Sequence, residues 1–416
     1  MTLALRRRLV PLLLALAALL APAPGFGQVL RVVSWNTAND VGNSGTDSHP
    51  PGTSPWTAAP TGVFQAIAAL NTGGGPRPID ILALQESVVN TTGVNPTAQA
   101  YANILNSLYP GAGYAVGTLN GATDGAATGN GPQTVVYRST TVTLLSEQAL
   151  GSVGTGAGQF PRQVMLYKFQ AAGNPAAQFY LFNDHFKSGT AGSDMTTRGN
   201  EATAINTAAN NLPANTPIIY AGDYNPTGNT SDPGYAGVVA GTGTHNNHGI
   251  DPLNPTNVAQ AWDTSANRRF DTESPATSAF FGGQSTGGME FRDDFLMYSP
   301  GMQSGNAVQY VANSFVNFGN TGTHTYNTAI TTGSAATFAA QLSGYTTAQA
   351  STVLTQLTQA ADHLPVVADY QITPVPEPSA LALVVVAAVG GCVRRWRRSD
   401  AAHPRAAGGP ANSQRA

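Results

Sequence analysis

The sequence predicts an α+β fold in which two packed β-sheets are flanked by helices, and two observations favour it. Runs of β-branched and aromatic residues alternate with segments of helical periodicity across residues 28–373, without an internal repeat period. Polar side chains collect where several of the predicted strands end. Because the strand ends of a sheet share a rim, this pattern indicates a polar site on a rigid support. We therefore expect residues 28–373 to form one large domain.

The clearest strand runs over residues 217–222, because four apolar or aromatic residues stand in a row before Gly222 ends it. Asp223 and Asn225 follow, and Pro226 prevents further strand pairing. Side chains two positions apart point to the same face, so both polar groups are expected at one side of the rim. An Asx-rich turn is the alternative explanation for these residues.

The first half of the domain is predicted to be rich in strands. Residues 29–36 form an apolar run that ends in Asn36, and residues 79–86 form one that ends in Glu86. Residues 39–60 are rich in Gly, Ser, Pro and Thr, which predicts a loop. Further strands are predicted at 114–118, 134–137, 142–145, 164–169 and 179–188, the last carrying His185, and helices at 63–70 and 99–108.

The second half of the domain is predicted to combine helices with a long irregular segment. Residues 195–211 have helical periodicity. Residues 227–274 are predicted to be loop-rich, and His245 and His248 within them are expected to be surface residues. Strands are predicted at 291–298, which contains Asp293 and Asp294, and at 364–370, which follows Asp362 and His363, with helices at 335–342 and 346–360.

The N-terminus has the features of a signal peptide. Arginines at positions 6–8 precede an apolar run over residues 9–20, and small residues precede a predicted cleavage site near Gly27 and Gln28. The apolar run is shorter than the roughly 20 residues that a membrane span requires, which disfavours an anchor. We expect residues 1–27 to be removed and the protein to be exported.

Residues 374–398 have the features of a second targeting segment. A Pro-Glu-Pro motif at 376–378 is followed by an apolar run over 380–393 and an arginine cluster at 394–398. This order resembles the PEP-CTERM sorting signal of Gram-negative bacteria. The resemblance implies a short transmembrane segment, processing by an exosortase, and release to the cell surface or extracellular matrix. Residues 399–416 are predicted to form a disordered tail.

The domain is acidic although the whole chain has a formal net charge of only −3. It holds 20 of the 22 acidic residues but only ten of the 19 basic ones. No basic stripe is available to attract a polyanion over long range, so nucleic-acid binding would depend on local contacts or bound cations. The single cysteine, Cys392, lies outside the domain, which excludes an intrachain disulfide.

Six strand ends or adjacent turns carry residues suited to metal-assisted chemistry. Their hard oxygen donors suit Mg²⁺, Mn²⁺ or Ca²⁺ rather than a thiolate zinc site. Histidines beside carboxylates can transfer protons near neutral pH, and a cation can neutralise charge during in-line attack at phosphorus. These residues are Asn36, Glu86, His185, Asp223 with Asn225, Asp294, and Asp362 with His363.

The motifs that contain these residues resemble the endonuclease/exonuclease/phosphatase superfamily, which includes DNase I-like nucleases, sphingomyelinases and inositol polyphosphate phosphatases. The resemblance spans residues 29–370 and implies a DNase I-like, four-layer αββα sandwich with its site at one rim. The motifs are Ser-Trp-Asn at 34–36, Leu-Gln-Glu at 84–86, Asn-Asp-His-Phe-Lys-Ser at 183–188, Gly-Asp-Tyr-Asn at 222–225, Asp-Asp-Phe at 293–295 and Ala-Asp-His-Leu-Pro at 361–365.

The resemblance implies a metal-binding group and a group that acts on the attacking water. Asn36 and Glu86 would hold the divalent cation, with Asp362 as a further ligand. Asp223 would orient or deprotonate the water. Asn225 would donate a hydrogen bond to a phosphate oxygen.

The resemblance also implies roles for two histidines. His363 would be the acid/base partner, held in its tautomer by Asp294. His185 would bind phosphate or protonate the leaving oxygen. Arg162 and Lys187 are additional candidates for contact with phosphate, although Lys187 could simply face solvent.

Two acidic residues depart from the family pattern. Asp184 stands where the family often has an apolar or small residue, and we expect it to place an extra carboxylate beside the phosphate. Asp293 precedes Asp294, and strand alternation sends the two to opposite faces. The family pattern selects Asp294 for the site. Both extra carboxylates make a bulky polyanion a less obvious substrate.

These observations lead to a hypothesis of a secreted, divalent-metal-dependent phosphodiesterase that acts on extracellular DNA or RNA. The Phe-Lys-Ser-Gly sequence at 186–189 is similar to the corresponding stretch of secreted bacterial nucleases. A sphingomyelinase-like or small-molecule phosphoesterase is the first alternative, which the acidic domain favours. A non-catalytic surface or matrix protein on the same fold is the second, although a scaffold has no need for the full polar set. The choice of metal, endo or exo action and the oligomeric state stay open.

Overall fold

Two β-sheets form the centre of the protein in a computed structural model that describes residues 27–38, 58–87, 95–123, 131–154, 156, 158–240, 243–281, 283–303 and 305–373. Residues Gly27–Thr373 form one compact unit. The predicted signal peptide up to residue 26, the predicted sorting segment and the tail lie outside the described residues. None of the helices within the described ranges is both long and apolar enough to cross a membrane.

The first sheet contains seven strands and is mixed. Its strands are β1 (Val29–Asn36), β2 (Ile81–Gln85), β3 (Tyr114–Val116), β4 (Thr134–Arg138), β10 (Val308–Tyr310), β11 (Val316–Asn317) and β12 (Val366–Ile372). The order is β10-β12-β1-β2-β4-β3, and β11 also pairs with β12. Only β1 and β2 run parallel; the other neighbours in this sheet are antiparallel.

The second sheet has five strands in simple sequence order. They are β5 (Val142–Leu150), β6 (Val164–Ala171), β7 (Gln178–His185), β8 (Ile218–Asp223) and β9 (Asp294–Tyr298). Here β7 and β8 form the parallel pair, and the other neighbours are antiparallel. Each sheet therefore contains one parallel pair.

Helices cover the outer faces of both sheets. They are α1 (Ala58–Ala68), α2 (Pro96–Leu108), α3 (Gly192–Asn210), α4 (Pro233–Ala240), α5 (Ala335–Ala339) and α6 (Thr347–Ala360). The side chain of Asn95 caps α2 by accepting from the backbone N–H of Ala98. Thr346 and Gln349 form a capping box at the start of α6.

Side-chain alternation along the strands builds three apolar layers. Val32 and Ile81 of the first sheet pack with Leu181 and Ile219 of the second, which forms the core between the sheets. The opposite faces carry their own layers. In the first sheet Val33 and Leu84 pack against α1, α2 and α6, and in the second Phe182, Tyr220 and Phe295 pack against α3 and α4. The predicted four-layer αββα sandwich is thereby confirmed.

Three elements were not expected from the sequence. Helix α4 lies within residues 227–274, which were predicted to be loop-rich, because Tyr235 and Val238 pack against the second sheet. Strands β10 and β11 are only three and two residues long, which is too short for an alternation pattern to reveal them. Tertiary packing, rather than local periodicity, defines these elements.

The strand directions bring six chain segments to one rim of the sandwich. The carboxyl ends of the parallel pairs β1–β2 and β7–β8 lie there. Strands β12 and β9 are antiparallel to β1 and β8, so they begin where those strands end, with Ser34 opposite Val366 and Asp223 opposite Asp294. Loops from both sheets therefore meet around the exposed end of the inter-sheet core.

Candidate active site

Alternation alone carries four predicted site residues to the space between the sheets. Asn36, Asp223 and Asp294 have the same strand parity as core residues of the inter-sheet layer, as does His185. All four are buried. His185, Asp223 and Asp294 lie side by side on three adjacent strands, because His185 pairs with Asp223 and Asp223 with Asp294.

Two further residues reach the site through unusual backbone conformations. Glu86 follows β2 with a φ of 48°, and Asn225 follows β8 with a φ of 44°. Few residues other than glycine adopt this left-handed region, and such strain is common at functional sites. Without it, alternation would send Glu86 to the helix-covered face together with Leu84. The backbone at Glu86 therefore redirects its carboxylate towards the rim.

The centre of the site is a network that joins both sheets. Asn36 Nδ2 donates to Asp223 Oδ2 at 2.9 Å and to Glu86 Oε1 at 3.2 Å. His185 Nε2 lies 3.3 Å from Asp223 Oδ2 and 3.6 Å from Glu86 Oε1. Two carboxylates, an imidazole and an amide thus converge within contact distance of one another.

A histidine–aspartate pair borders this centre. His363 Nδ1 lies 2.8 Å from Asp294 Oδ2, and His363 Nε2 lies 3.9 Å from Asp223 Oδ2. The Trp35 indole Nε1 donates to the His363 carbonyl at 2.9 Å, which fixes the backbone of the histidine. The hydroxyl of Thr272 accepts from the backbone N–H of Asp294 at 3.0 Å. The imidazole is therefore oriented from Nδ1 and presents Nε2 to the centre of the site.

Asn225 forms hydrogen bonds with Asp223 and with the backbone of Phe186. Its backbone N–H and its Nδ2 both donate to Asp223 Oδ1, at 3.0 and 2.8 Å, and Nδ2 also donates to the Phe186 carbonyl at 3.3 Å. The residue thus orients the Asp223 carboxylate, leaving Oδ2 directed at Asn36 and the histidines. The proposed contact with phosphate stays a prediction.

Arg162 lies near the site, but its guanidinium is directed at the backbone. It is 1% exposed, and Nε and Nη2 donate to the carbonyls of His185 and Phe186 at 3.0 and 2.7 Å. Its predicted role as a phosphate ligand is not visible in this arrangement. Lys187 is partly exposed and pairs with Asp194 at 3.2 Å.

Asp362 occupies the turn that precedes β12. One of its carboxylate oxygens, Oδ2, accepts from the backbone N–H of Ser285 at 2.9 Å. Its carbonyl accepts from the N–H of Ser274. The negative charge of Asp362 raises the pKa of Glu86, so the two carboxylates belong to one acidic region.

Burial raises the pKa values of carboxyl groups in the site. It raises the pKa of Glu86 to about 8, with the negative charge of Asp362 adding to the effect. It also raises the pKa of Asp223 to about 7, although the nearby His363 opposes this shift. Burial likewise raises the pKa of Asp362. A region that holds several carboxylates with raised pKa values is a candidate binding site for a cation.

The pKa values of His185 and His363 are shifted in opposite directions. Burial lowers the pKa of His185 well below its ordinary range, and the positive charge of Arg162 adds to this. Burial would also lower the pKa of His363, but the carboxylate of Asp294 outweighs it and raises the pKa well above the ordinary range. At neutral pH His185 is therefore neutral and His363 is an imidazolium.

Glu86, His185 and Asp223 are the described residues best placed to hold a metal ion. One potential ligand atom from each lies within 4.8 Å of the others. Glu86 agrees with the predicted ligand set, whereas Asp362 is outside this group. Ligation by Asn36 would use its amide oxygen, which here accepts from the N–H of Ala38 at 3.0 Å. The donor set of carboxylates and one imidazole fits a hard or borderline divalent cation.

The two extra acidic residues, Asp184 and Asp293, lie in different parts of the structure. Asp184 was expected beside the phosphate, but it lies on the opposite face of β7 from His185. Its neighbours in the strand, Phe182 and Phe186, belong to the layer under α3, and its Oδ1 lies against Gly222. Alternation between adjacent residues accounts for the difference.

Asp293, in contrast, lines a cavity of about 570 Å³ that adjoins the site at Asn225. Asp263, Glu273 and the partly exposed ring of Phe291 also line it. Burial and the charge of Glu273 raise the pKa of Asp293 well above its ordinary range. Among the described residues that border the cavity, none is Lys, Arg or His.

Sequence reasoning missed a polar bridge beneath the site. Gln85 Nε2 donates to Asn183 Oδ1 at 2.6 Å, and Asn183 Nδ2 donates to the carbonyls of Leu84 and Thr134 at 3.0 and 2.8 Å. This bridge joins the two sheets just below Glu86, His185 and Asp223. Gln85 directly precedes Glu86, and Asn183 lies two positions before His185 in β7, and these positions were the available signal.

Comparison with known proteins gives structural likeness without a family assignment. No protein-family model matches the chain, and no curated protein matches it.

The catalytic domain of human Nocturnin with bound sulfate has a TM-score of 0.43 and 15% identity, covering 83% of this chain and 98% of that one. An endonuclease/exonuclease/phosphatase from Bacteroides vulgatus has a TM-score of 0.45 and 15% identity, covering 83% and 99%. One from Beutenbergia cavernae has a TM-score of 0.46 and 15% identity, covering 84% and 73%. Solved structures of the endonuclease/exonuclease/phosphatase family are thus among those similar to this chain.

Proposed function

We propose that this protein is a divalent-metal-dependent phosphodiesterase, with extracellular nucleic acid as the first substrate class to test. One observation carries the proposal: a carboxylate pair, Glu86 and Asp223, meets His185 and the His363–Asp294 pair at one rim. A purely structural rim would have no need to bring three carboxylates and two imidazoles together, four of these groups being buried. The acidic and basic groups instead match the needs of in-line hydrolysis at phosphorus.

The residues divide the proton transfers between them. Asp223, whose pKa is close to neutrality, accepts a proton from the attacking water as its oxygen bonds to phosphorus. The bond from phosphorus to the leaving oxygen breaks, and that oxygen takes a proton. His363, which the Asp294 carboxylate keeps protonated, is the donor that the geometry favours. His185, whose pKa burial lowers well below the ordinary range, is not the proton donor.

A divalent cation would supply charge neutralisation at the phosphoryl oxygens. Glu86 is the residue common to the predicted ligand set and to the group seen in the structure. His185 and Asp223 complete that group, and Asn36 keeps Glu86 and Asp223 adjacent. The raised pKa values of both carboxylates are a second observation that favours a cation here.

The cavity beside the site favours a second candidate substrate, a small-molecule or lipid phosphoester. Three carboxylates, from Asp263, Glu273 and Asp293, border the cavity, and burial raises the pKa of Asp263 to about 7. Where these groups are ionised, a nucleic-acid strand would bring further phosphates towards them at an electrostatic cost. A substrate with one phosphate would avoid that repulsion.

Export belongs to the same proposal. The predicted signal peptide supports secretion, and the order of features in residues 374–398 supports transient membrane anchoring and exosortase processing. An extracellular or surface-associated location would give the enzyme access to polymers or lipids outside the cell. Detection of the processed protein in the culture medium or at the surface would test this part.

The deciding experiment follows hydrolysis of plasmid DNA and of bis(p-nitrophenyl) phosphate with Mg²⁺, Mn²⁺ or Ca²⁺, and with EDTA. His363→Ala should abolish activity. His245→Ala is the matched control, because His245 Nδ1 donates to the Leu212 carbonyl at 2.8 Å, far from the strand ends that form the site.

The two substrates distinguish the candidates. Metal-dependent cleavage of DNA that weakens steeply with salt supports the nuclease, because counterions compete for each phosphate contact. Hydrolysis of the small diester alone, with little salt dependence, supports the second candidate. Folded protein without turnover of either substrate under all three metals would refute the enzymatic proposal and leave a surface or matrix role.

A further inference from the structure

A buried ion pair joins the two loops that leave the site. Arg198 in α3 and Asp232 before α4 are both fully buried. Arg198 Nε lies 3.1 and 3.0 Å from the two Asp232 carboxylate oxygens, and Nη2 lies 2.7 Å from Oδ2. Among the described residues, neither Arg198 nor Asp232 forms an ion pair or hydrogen bond with a predicted catalytic residue.

The arginine holds the segment that follows His185. Its Nη1 donates to the carbonyls of Lys187 and Gly189, each at 2.8 Å. Glu201, one turn further along α3, accepts from the backbone N–H of Lys187 at 2.9 Å. The backbone after β7 is thus fixed by buried side chains of α3.

The aspartate holds the segment that follows Asn225. Its Oδ2 accepts from the N–H and the hydroxyl of Thr227, at 3.1 and 3.2 Å. Its Oδ1 accepts from the N–H of Gly234 at 2.9 Å. Gly189 and Thr227 face the same cavity, one from each segment.

We propose that Arg198 and Asp232 are positioning residues that set the distance between the segment after His185 and the segment after Asn225. This spacing defines the cavity between the segments and with it the binding of substrate beside the scissile phosphate. The inference rests on the proposed phosphodiesterase function. It assigns a task to two buried charges that the proposed chemistry does not use.

The donor geometry explains why arginine is needed. Arg198 uses one edge of its guanidinium for Asp232 and Nη1 for two carbonyls, so a single planar group spans both loops. A lysine keeps the charge but has one nitrogen and cannot form the same fork. Apolar replacement of a buried ion pair is often neutral for stability, so stability alone does not account for such a pair.

The chain contains a matched control pair. Arg31 and Asp369 are also fully buried, with Nε–Oδ1 at 2.8 Å and Nη2–Oδ2 at 3.0 Å. They pair between β1 and β12, five residues before Asn36, and no cavity residue contacts them. Arg31→Lys should therefore reproduce the loss of buried contacts without the effect on loop spacing.

The test compares Arg198→Lys with Arg31→Lys in the full-length chain. Both variants should unfold at lower denaturant concentration than the parent protein. Only Arg198→Lys should raise the KM for bis(p-nitrophenyl) phosphate, by about tenfold, while kcat stays within about threefold, because the change affects substrate positioning rather than proton transfer. An equal rise in KM for Arg31→Lys would overturn the proposal.

Backbone amide exchange provides a readout that does not depend on activity. In Asp232→Asn, exchange should accelerate at residues 187–189, although among the described loop residues the Asp232 side chain hydrogen-bonds only to Thr227 and Gly234. If acceleration is confined to residues 227–234, the two loops are not joined and the proposal fails. A parent protein that hydrolyses no phosphoester would refute the proposed function, whereas the exchange data would still decide whether the pair couples the loops.

Discussion

His363 Nδ1 lies 2.8 Å from Asp294 Oδ2, although the two residues are 69 positions apart in the chain. The contact exists because β12 and β9 start at the same rim, each antiparallel to a strand that ends there. It fixes the imidazole by one nitrogen and leaves Nε2 directed at the centre of the site. The acid/base properties of His363 should therefore depend on Asp294.

Asp294→Asn is expected to lower kcat by about 100-fold or more, because an amide removes the charge that keeps His363 protonated and can favour the wrong tautomer. Without that charge, burial should lower the pKa of His363, so the acidic group in the rate profile should move to lower pH. Steady-state kinetics across pH will measure both effects. Asp293→Asn is the control, since Asp293 lines the cavity instead; similar losses in kcat would contradict the assignment.

Glu86→Gln should weaken the binding of Mg²⁺ or Mn²⁺ by at least about tenfold, because a hard anionic ligand is replaced by a neutral amide. Isothermal titration calorimetry will measure the dissociation constant directly. Asp184→Asn should leave it unchanged, since that carboxylate lies on the other face of β7.

Asp362→Asn distinguishes the predicted ligand set, which includes Asp362, from the group of Glu86, His185 and Asp223. If only the group of Glu86, His185 and Asp223 holds the ion, this variant should change metal affinity much less than Glu86→Gln. A loss as large as that of Glu86→Gln would instead place Asp362 among the ligands. The same titrations should show tighter binding as pH rises through about 7 to 8, because Asp223 and Glu86 must lose their protons first.

Without metal, the protein should become less stable as pH rises from about 5 to about 8. Burial raises the pKa of both Glu86 and Glu201 to about 8, whereas in the unfolded chain these groups are already ionised. The folded state therefore binds more protons in this range, and raising the pH favours unfolding. Thermal unfolding in EDTA will test the direction, and a melting temperature that rises with pH would contradict it.

Two comparisons isolate the groups responsible for this pH dependence. Glu201→Gln should reduce the slope, because it removes one of the buried carboxyl groups. Added Mg²⁺ should reduce it further by replacing protons at Glu86 and Asp223.

Asn183→Ala should reduce the free energy of unfolding by about 2–3 kcal/mol, because the buried carbonyls of Leu84 and Thr134 and the Gln85 amide lose their partner. Chemical denaturation will measure the change. Asn103→Ala, at an exposed position in α2, should cost less than about 0.5 kcal/mol. Equal effects would show that the bridge between the sheets contributes little.

The sequence by itself determined the layered fold and part of the candidate site. Apolar runs and the polar residues that end them are local features, so Asn36, His185 and Asp223 could be assigned to strand ends before any tertiary contact was known, whereas the resemblance to the family selected Asp294. Strand alternation, which is also local, predicted that Asp293 and Asp294 point to different sides, which agrees with their contacts in the structure.

Only the tertiary structure decided which groups meet. Glu86 reaches the rim through a left-handed backbone conformation that no periodicity reveals. The guanidinium of Arg162 binds the carbonyls of His185 and Phe186, and that of Arg198 binds the carbonyls of Lys187 and Gly189. These groups become neighbours only when distant segments pack together. Alternation fixes the face of a side chain, but the partner of a buried charge depends on contacts between distant segments.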